Sequence, residues 1–151
     1  MDKEKIKQLR DQTGLSFSEI NKALTEAGGD EEKAILLLKA RGADIAAKKA
    51  SRQVSEGVVD AYIHATGKVG AMIELLCETD FVARNEEFRK LAHDLAMHIT
   101  AIKPKTNNEL LDQPFVRDPA ITVQDLINQI IQKVGENIQV GKFDIFDVKQ
   151  D

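Results

Sequence analysis

Val69-Gly70-Ala71-Met72-Ile73-Glu74-Leu75-Leu76-Cys77, Glu78-Thr79-Asp80-Phe81-Val82-Ala83-Arg84 and Asn85-Glu86-Glu87-Phe88 together make the stretch whose reading decides the fold. In the first segment Val69, Ala71, Ile73, Leu75 and Cys77 alternate with other residues, the period of a half-buried strand. In the last segment Asn85 is a helix-capping residue, and Glu86 and Glu87 put acids at the positive end of the helix dipole. The middle segment is therefore a short joint held at both ends by regular structure, with an aromatic residue at its centre. Loops on rigid mounts are where binding groups concentrate, so Phe81 reads as a side chain presented to a partner. The competing reading makes Phe81 a staple between strand and helix.

Upstream of the joint, Thr66-Gly67-Lys68 supplies a hairpin turn, preceded by a strand with Val59, Ala61 and Ile63 on one face and Asp60, Tyr62 and His64 on the other. Downstream, Phe88, Leu91, Ala92, Leu95, Ala96 and Ile99 recur at helical spacing, predicting a helix from about 86 to 101 that packs on the hairpin. Lys103-Pro104-Lys105-Thr106-Asn107-Asn108 breaks the chain. Gln113-Pro114-Phe115-Val116 and Asp118-Pro119 then read as a stiff, irregular crossing segment anchored by Phe115. Thr122 and Asp125 open a last helix carrying Leu126, Ile127, Ile130, Ile131 and Val134, which stops at Gly135. The final strand, about 138 to 148, is apolar on both faces: Ile138, Val140, Phe146 and Val148 share one parity, Phe143 and Ile145 the other. Such a strand lies inside a sandwich or carries a bulge near Gly141 that swaps its faces. A second subunit would cover the surplus apolar surface, so a homodimer is expected, with Phe143, Ile145, Phe146 and Val148 as the dimer and core positions.

The first forty or so residues read as three short helices. Ile6 and Leu9 mark the first, Thr13-Gly14-Leu15 turns the chain, and Ser16 with Glu19 forms a capping box for a second bearing Phe17, Ile20, Leu24 and Ala27. Gly28-Gly29 ends it; Asp30 caps a third with Ala34, Ile35, Leu37 and Leu38, which Gly42 is expected to stop. This pattern resembles the ubiquitin-associated three-helix fold, whose surface helices and turn bind other proteins. The expected organisation is a three-helix domain at 1–42, a helical linker at 43–53 and a core at 54–151 of antiparallel strands packed with helices, an α+β fold.

Composition narrows the function. The chain has 151 residues, 42% hydrophobic and 30% charged, enough for one ordinary core or two small ones. No run approaches a membrane span, and Met1-Asp2-Lys3-Glu4-Lys5 leads into a periodic helix rather than a signal peptide, so a cytoplasmic protein is expected. Residues 1–52 carry 11 Lys and Arg against 9 Asp and Glu, whereas 53–151 carry 10 against 16, a poor match to a phosphate backbone. Lys39, Arg41, Lys48, Lys49 and Arg52 are either a solvated helix face or a contact to an acidic protein. One cysteine excludes an internal disulfide, and Cys77 on the inward parity reads as a buried small hydrophobe rather than a nucleophile. His93 and His98 lie about 140° apart around a helix and cannot chelate together; both read as surface or boundary residues. There is no Gly-rich phosphate loop, and Glu31-Glu32 and Glu86-Glu87 stand where helices begin. The expectation is a binding protein without enzymatic chemistry, cofactor or metal.

Cys77 to Asn85, with Lys48-Lys49-Ala50 before it, Phe88, Leu91 and Ala92 after it, and the late Val134-Gly135-Glu136-Asn137-Ile138, resembles the elongation factor Ts family. So does the N-terminal run of Leu9-Arg10, Thr13-Gly14, Lys22-Ala23-Leu24 and Gly29-Asp30. The likeness covers nearly the whole chain. It implies a guanine nucleotide exchange factor that binds elongation factor Tu·GDP and promotes GDP release. The N-terminal domain would grip the partner's GTPase domain while Asp80 and Phe81 wedge near the magnesium site, their shape fixed by Thr79 and Val82. Arg10, Gly14, Leu15 and Phe17 are the weaker candidates for the N-terminal contact. The family's usual Gly-Ala-Gly-Met-Met-Asp turn reads Gly14-Leu15-Ser16-Phe17-Ser18-Glu19 here, and the chain is of the short form with one core module. An adaptor using only the three-helix domain, without exchange activity, is the alternative.

Overall fold

The computed structural model describes residues 3–149. Met1 and Asp2, read above as the lead into the first helix, lie outside the described residues, as do Gln150 and Asp151. In chain order the elements are α1 (Lys3–Thr13), α2 (Phe17–Glu26), α3 (Glu31–Lys49), β1 (Glu56–Ile63), β2 (Val69–Cys77), α4 (Asp80–Ala83), α5 (Glu86–Ile102), α6 (Asn107–Asp112), β3 (Pro114–Phe115), β4 (Asp118–Thr122), α7 (Val123–Val134) and β5 (Ile138–Asp147). Helices and antiparallel strands make an α+β fold, with three helices at its N-terminal end.

The caps written in the sequence form, except that of the box expected at Ser16 and Glu19 only the Ser16 half does, the Glu19 carboxylate lying against the Ser16 hydroxyl instead. The Ser16 hydroxyl accepts from the Glu19 N–H at 3.2 Å, and the Asp30 carboxylate accepts from Glu32 and Lys33 N–H. Thr122 and Asp125 complete a reciprocal capping box at α7, which Gly135 ends at φ 76°. Ile6, Leu9, Leu15, Ile20, Ala23, Leu24, Ala34 and Leu38 close a small apolar cluster among the first three helices.

Gly42 does not stop α3. The helix runs unbroken through it to Lys49, so most of the expected linker is its last turns. The reason is packing: Gly42 is buried against α7, where an added Cβ would meet the Gln132 side-chain oxygen at 3.5 Å and the Asn128 Cβ at 3.6 Å. Those are ordinary contact distances, so the site has room for a methyl group but for little more, and a small residue there lets α3 lie on α7. Farther along, Ile45 and Ala46 pack on the larger core.

That larger core lies between α5 and the three-stranded sheet of order β1-β2-β5. Ala71, Ile73, Leu75 and Cys77 of β2 face Phe88, Leu91, Ala92, Leu95, Ala96 and Ile99 of α5, all buried. In β5 the bulge is present, and among the described residues there is no sandwich. Leu75 lies opposite Val140 but Ile73 lies opposite Phe143, so β5 takes one residue more than β2 around Gly141. The Glu74 side chain accepts from the Lys142 N–H at 3.3 Å, and Asn107 donates to the Val140 and Gly141 carbonyls. Faces swap there: Ile138 and Val140 point inward before the bulge, Phe143 and Ile145 after it. Of the four positions expected at a dimer, Phe143 and Ile145 therefore pack in this chain's own core, while Phe146 is 69% and Val148 74% exposed.

The outer face of the sheet is mixed, with an apolar patch beside Glu74, which lies opposite Val59, and Asp144, which lies opposite Met72. Val59 and Ile63 of β1 and Met72 of β2 join Phe146 and Val148 there, all exposed. The even residues of β1 turn toward α5 instead, with His93 Nδ1 3.4 Å from the Asp60 carboxylate and the Tyr62 and His93 rings edge to face.

His98 is a correction, since it is fully buried. Its Nδ1 accepts from the Val116 N–H at 3.1 Å, which leaves the proton on Nε2 to donate to the Gln113 side-chain oxygen at 2.9 Å. The ring stacks on buried Phe115, the anchor expected of that segment. Burial pushes the imidazole's pKa down, against a smaller opposing effect of Gln113. The helix α5 has a second cover, the β3–β4 hairpin, which the sequence showed only as a crossing segment.

Candidate functional site

The joint between β2 and α5 is itself one turn of helix, α4. Thr79 caps it, its hydroxyl accepting from the Val82 N–H at 3.4 Å, and Asn85 follows at once as the cap of α5, accepting from Glu87 and Phe88 N–H. Two caps six residues apart leave the joint no slack. Val82 and Ala83 turn into the core, which fixes the rotation of the turn, and Phe81 is left 88% exposed. The staple reading of Phe81 fails here, because a staple would be buried; Phe88, fully buried, joins the helix to the sheet. Beside Phe81, the Asp80 carboxylate pairs with Arg84 Nε at 2.8 Å, both side chains facing water.

A second part of the chain holds the joint from behind. Glu136, just past α7, accepts from the Glu78 N–H at 3.1 Å and the Thr79 N–H at 3.0 Å with one carboxylate oxygen, and from the Thr79 hydroxyl at 2.6 Å with the other. Glu78 returns the bond, accepting from the Asn137 N–H at 2.6 Å, and stands 3.6 Å from the Arg52 guanidinium. The buried Asn137 amide donates in turn to the Arg52 carbonyl at 2.8 Å. The sequence reading quoted Glu136 and Asn137 for their resemblance alone and gave them no role. Their partners lie more than fifty residues away, and no local pattern announces such a pair.

Cys77 closes the joint's floor. It is buried, its thiol donates to the Thr79 carbonyl at 3.2 Å, and its pKa is raised to about 11, first by burial and then by the Glu136 charge. A thiol held protonated in this way is no nucleophile at neutral pH. Among the described residues, no group of three or more His, Cys, Asp or Glu is placed to hold a metal ion, and no helix is long and apolar enough to cross a membrane.

The N-terminal helices lean against α7, across a cleft from the joint. Gln132 of α7 donates to Glu19 at 2.8 Å, and Lys133 reaches past Gly14 to the Glu87 carboxylate at 2.6 Å. Gly14 is required there by its φ of +66°; the Lys133 nitrogen, 2.0 Å from where a Cβ would stand, is the end of a flexible side chain that can move aside. Between the two parts opens a cleft of about 660 Å³, bordered by Arg10, Gly14, Glu19, Phe81, Asn85 and Gln132. Arg10 also borders an adjoining hollow of about 580 Å³ with Lys3, Lys7 and Phe17, the last 47% exposed. The structure thus brings Phe81, Arg10 and Gly14 to one cleft and Phe17 to its neighbour. Leu15 is different, because its side chain is buried in the three-helix cluster.

A family profile described as Elongation factor TS matches residues 78–151, beginning at the joint. The Elongation factor Ts of Acetivibrio thermocellus is 41% identical over 189 aligned positions, which cover 95% of this chain and 88% of that protein. The chain belongs to the elongation factor Ts family. Its namesake from Desulforamulus reducens is 40% identical, with 91% of this chain and 84% of the relative aligned, and that of Synechococcus sp. is 40% identical, with 95% and 67%. Members of the family are translation elongation factors, as their name states. The 189 aligned positions exceed the 151 residues here, so that relative carries segments for which this short member has no counterpart.

Proposed function

We propose that this elongation factor Ts homologue is a non-enzymatic guanine nucleotide exchange factor that binds elongation factor Tu·GDP in the cytoplasm. Asp80 and Phe81 would press into the partner near its magnesium and phosphate site, and GDP would leave. The observation that carries this reading is Phe81, a large apolar side chain 88% exposed at the head of a turn braced on both sides. An aromatic so placed gains by burial in a partner and loses little entropy on docking, because its mount is already ordered.

The rest of the site supports the reading. Thr79 caps the turn and Val82 anchors it. Residues 1–42 serve as the gripping domain, residues 43–53 as its helical link and residues 54–151 as the core that carries the wedge. Arg10 and Phe17 offer side chains to the grip, whereas Gly14 contributes the turn and Leu15 its internal support. Exchange of this kind is linkage. The factor speeds GDP loss only if it binds the nucleotide-free partner better than the loaded one, and excess nucleotide must expel it in turn. It calls for neither cofactor nor covalent step, nor for contact with nucleic acid. The exposed apolar patch on the outer face of the sheet further supports a symmetric homodimer formed through Phe146 and Val148.

The test is release of a fluorescent GDP from elongation factor Tu. The wild-type chain should accelerate it, and Phe81→Ala should lose most of the acceleration, a truncation effect of about 2 to 4 kcal/mol. Equal rates for the two would remove the wedge, and no acceleration by the wild type would remove the exchange function itself.

A further inference from the structure

The bonds behind the joint are more than a brace, and they rest on the exchange reading for their meaning. Glu78-Thr79 and Glu136-Asn137 exchange hydrogen bonds in both directions: the carboxylate of Glu136 takes the N–H groups of Glu78 and Thr79, and the carboxylate of Glu78 takes the N–H of Asn137. One bond differs in kind. The Thr79 hydroxyl donates to Glu136 at 2.6 Å while accepting from the Val82 N–H, so its single proton is committed to Glu136 and a lone pair is left facing α4. An unbroken line of bonds runs from the Glu136 carboxylate through Thr79 to the turn that carries Phe81. We infer that Glu136 is a positioning residue for Phe81, fixing the direction in which the aromatic side chain leaves the surface.

Glu136 is suited to this and to little else. It is half-buried, and both its oxygens are occupied by the joint. Asn137 next to it is tied to the Arg52 and Ala50 carbonyls just past α3, so the short connection between α7 and β5 that carries the anchor is itself held in place. Loss of the carboxylate frees two N–H groups and a hydroxyl at the base of a four-residue helix too short to hold its own axis, leaving the buried Val82 and Ala83 to hold it from one side.

The experiment is a double-mutant cycle on fluorescent-GDP release from elongation factor Tu, using Glu136→Ala, Phe81→Ala and both together. Glu136→Ala alone should lower the maximal release rate by about 10- to 100-fold, the range expected when a reacting group is misaimed by an ångström or so. In the Phe81→Ala background it should change the rate less than about twofold, because the side chain it aims is gone. Glu136→Gln keeps an acceptor for the two N–H groups but turns an NH2 group on the Thr79 hydroxyl, so its rate should fall between those of Glu136→Ala and the wild type. If the two losses multiply, or if Glu136→Ala leaves the rate at the wild-type value, the assignment is overturned. Should Glu136→Ala not fold, Thr79→Val cuts the same line of bonds and takes its place in the cycle, with the same two outcomes. Failure of the wild type to release GDP would count against the exchange reading and is seen in the first trace, before any variant is compared.

Discussion

Phe81 and Phe88 are the same residue type seven positions apart, and their surroundings assign them opposite work. Phe88 is fully buried between α5 and the sheet, so Phe88→Ala leaves a cavity and should cost about 3 to 5 kcal/mol of stability, read as a lower denaturant midpoint. Phe81→Ala removes a side chain that touches mostly water and should leave that midpoint within about 0.5 kcal/mol of wild type, so its loss of exchange cannot be ascribed to unfolding. His98 is the other residue whose surroundings set a measurable property. Its pKa is lowered by burial, so below the ordinary value of 6.5 the unfolded chain takes up a proton that the folded chain refuses. Stability from this group is therefore full above 6.5 and declines as the pH falls from there toward the folded value. Denaturation at about pH 7.5 and about pH 5 should show a larger drop for wild type than for His98→Gln, which cannot titrate. An equal drop in the two would mean that His98 is not the group responsible. The burial of His98 was readable in part: Leu91, Leu95 and His98 follow the i, i+4, i+7 spacing of a buried stripe. The polar side chain argued the other way, and the two bonds that satisfy it come from Gln113 and Val116, fifteen and eighteen residues on.

At the scale of elements, a glycine at the end of an apolar run signals a stop only if it is needed in the left-handed conformation. Gly135 is so used, at φ 76°, and Gly42 is not, being an interior residue of α3 where it crosses α7. The distinction is testable. Ala fits at 42, since its Cβ would meet neighbours only at ordinary contact distance, and it removes the helix penalty of glycine, so Gly42→Ala should stabilise by about 0.5 to 1 kcal/mol. Gly42→Leu has no room against Asn128 and should destabilise by about 1 to 3 kcal/mol, with both changes read from thermal or denaturant unfolding. A loss of stability in Gly42→Ala would mean that the crossing with α7 has no room even for a methyl group. The strands teach a similar lesson. Alternation in β2 gave the inward face directly, because Ala71, Ile73, Leu75 and Cys77 meet α5, yet the equally regular Val59, Ala61 and Ile63 of β1 face outward. Periodicity fixes which residues share a face; the register against β2, with Tyr62 opposite Ala71 and Asp60 opposite Ile73, decides which face is covered.

For the whole molecule, the uncovered outer face is the feature with the largest consequence. Val59, Ile63, Met72, Phe146 and Val148 are exposed together on one side of a three-stranded sheet. If a second copy covers them, sedimentation at about 10 μM should give twice the chain mass, and Phe146→Glu should give the monomer, because a buried unpaired carboxylate costs several kcal/mol at each symmetric contact. A wild-type monomer at that concentration rules the dimer out. Most of the element order was legible before any coordinates, since it rests on short-range chemistry: Ser16, Asp30, Asn85 and Thr122 cap the helices that follow them, and Thr66-Gly67-Lys68 turns the hairpin. The joint at Glu78 to Arg84 was likewise visible as a rigid mount for Phe81, because its strand and its capped helix are both local patterns. Local patterns thus gave the longer elements, the family likeness and the aromatic at the joint, all of which depend on residues within a few positions of one another, but not the short α4 and α6 or the β3–β4 hairpin. Only the tertiary structure decided that α3 continues through Gly42 onto α7, that His98 is buried, that Phe143 and Ile145 turn inward while Phe146 and Val148 do not, and that Glu136 and Asn137 hold the joint. Each of these is set by groups far apart in the chain, whose meeting depends on strand register and helix packing rather than on any pattern a local stretch can carry.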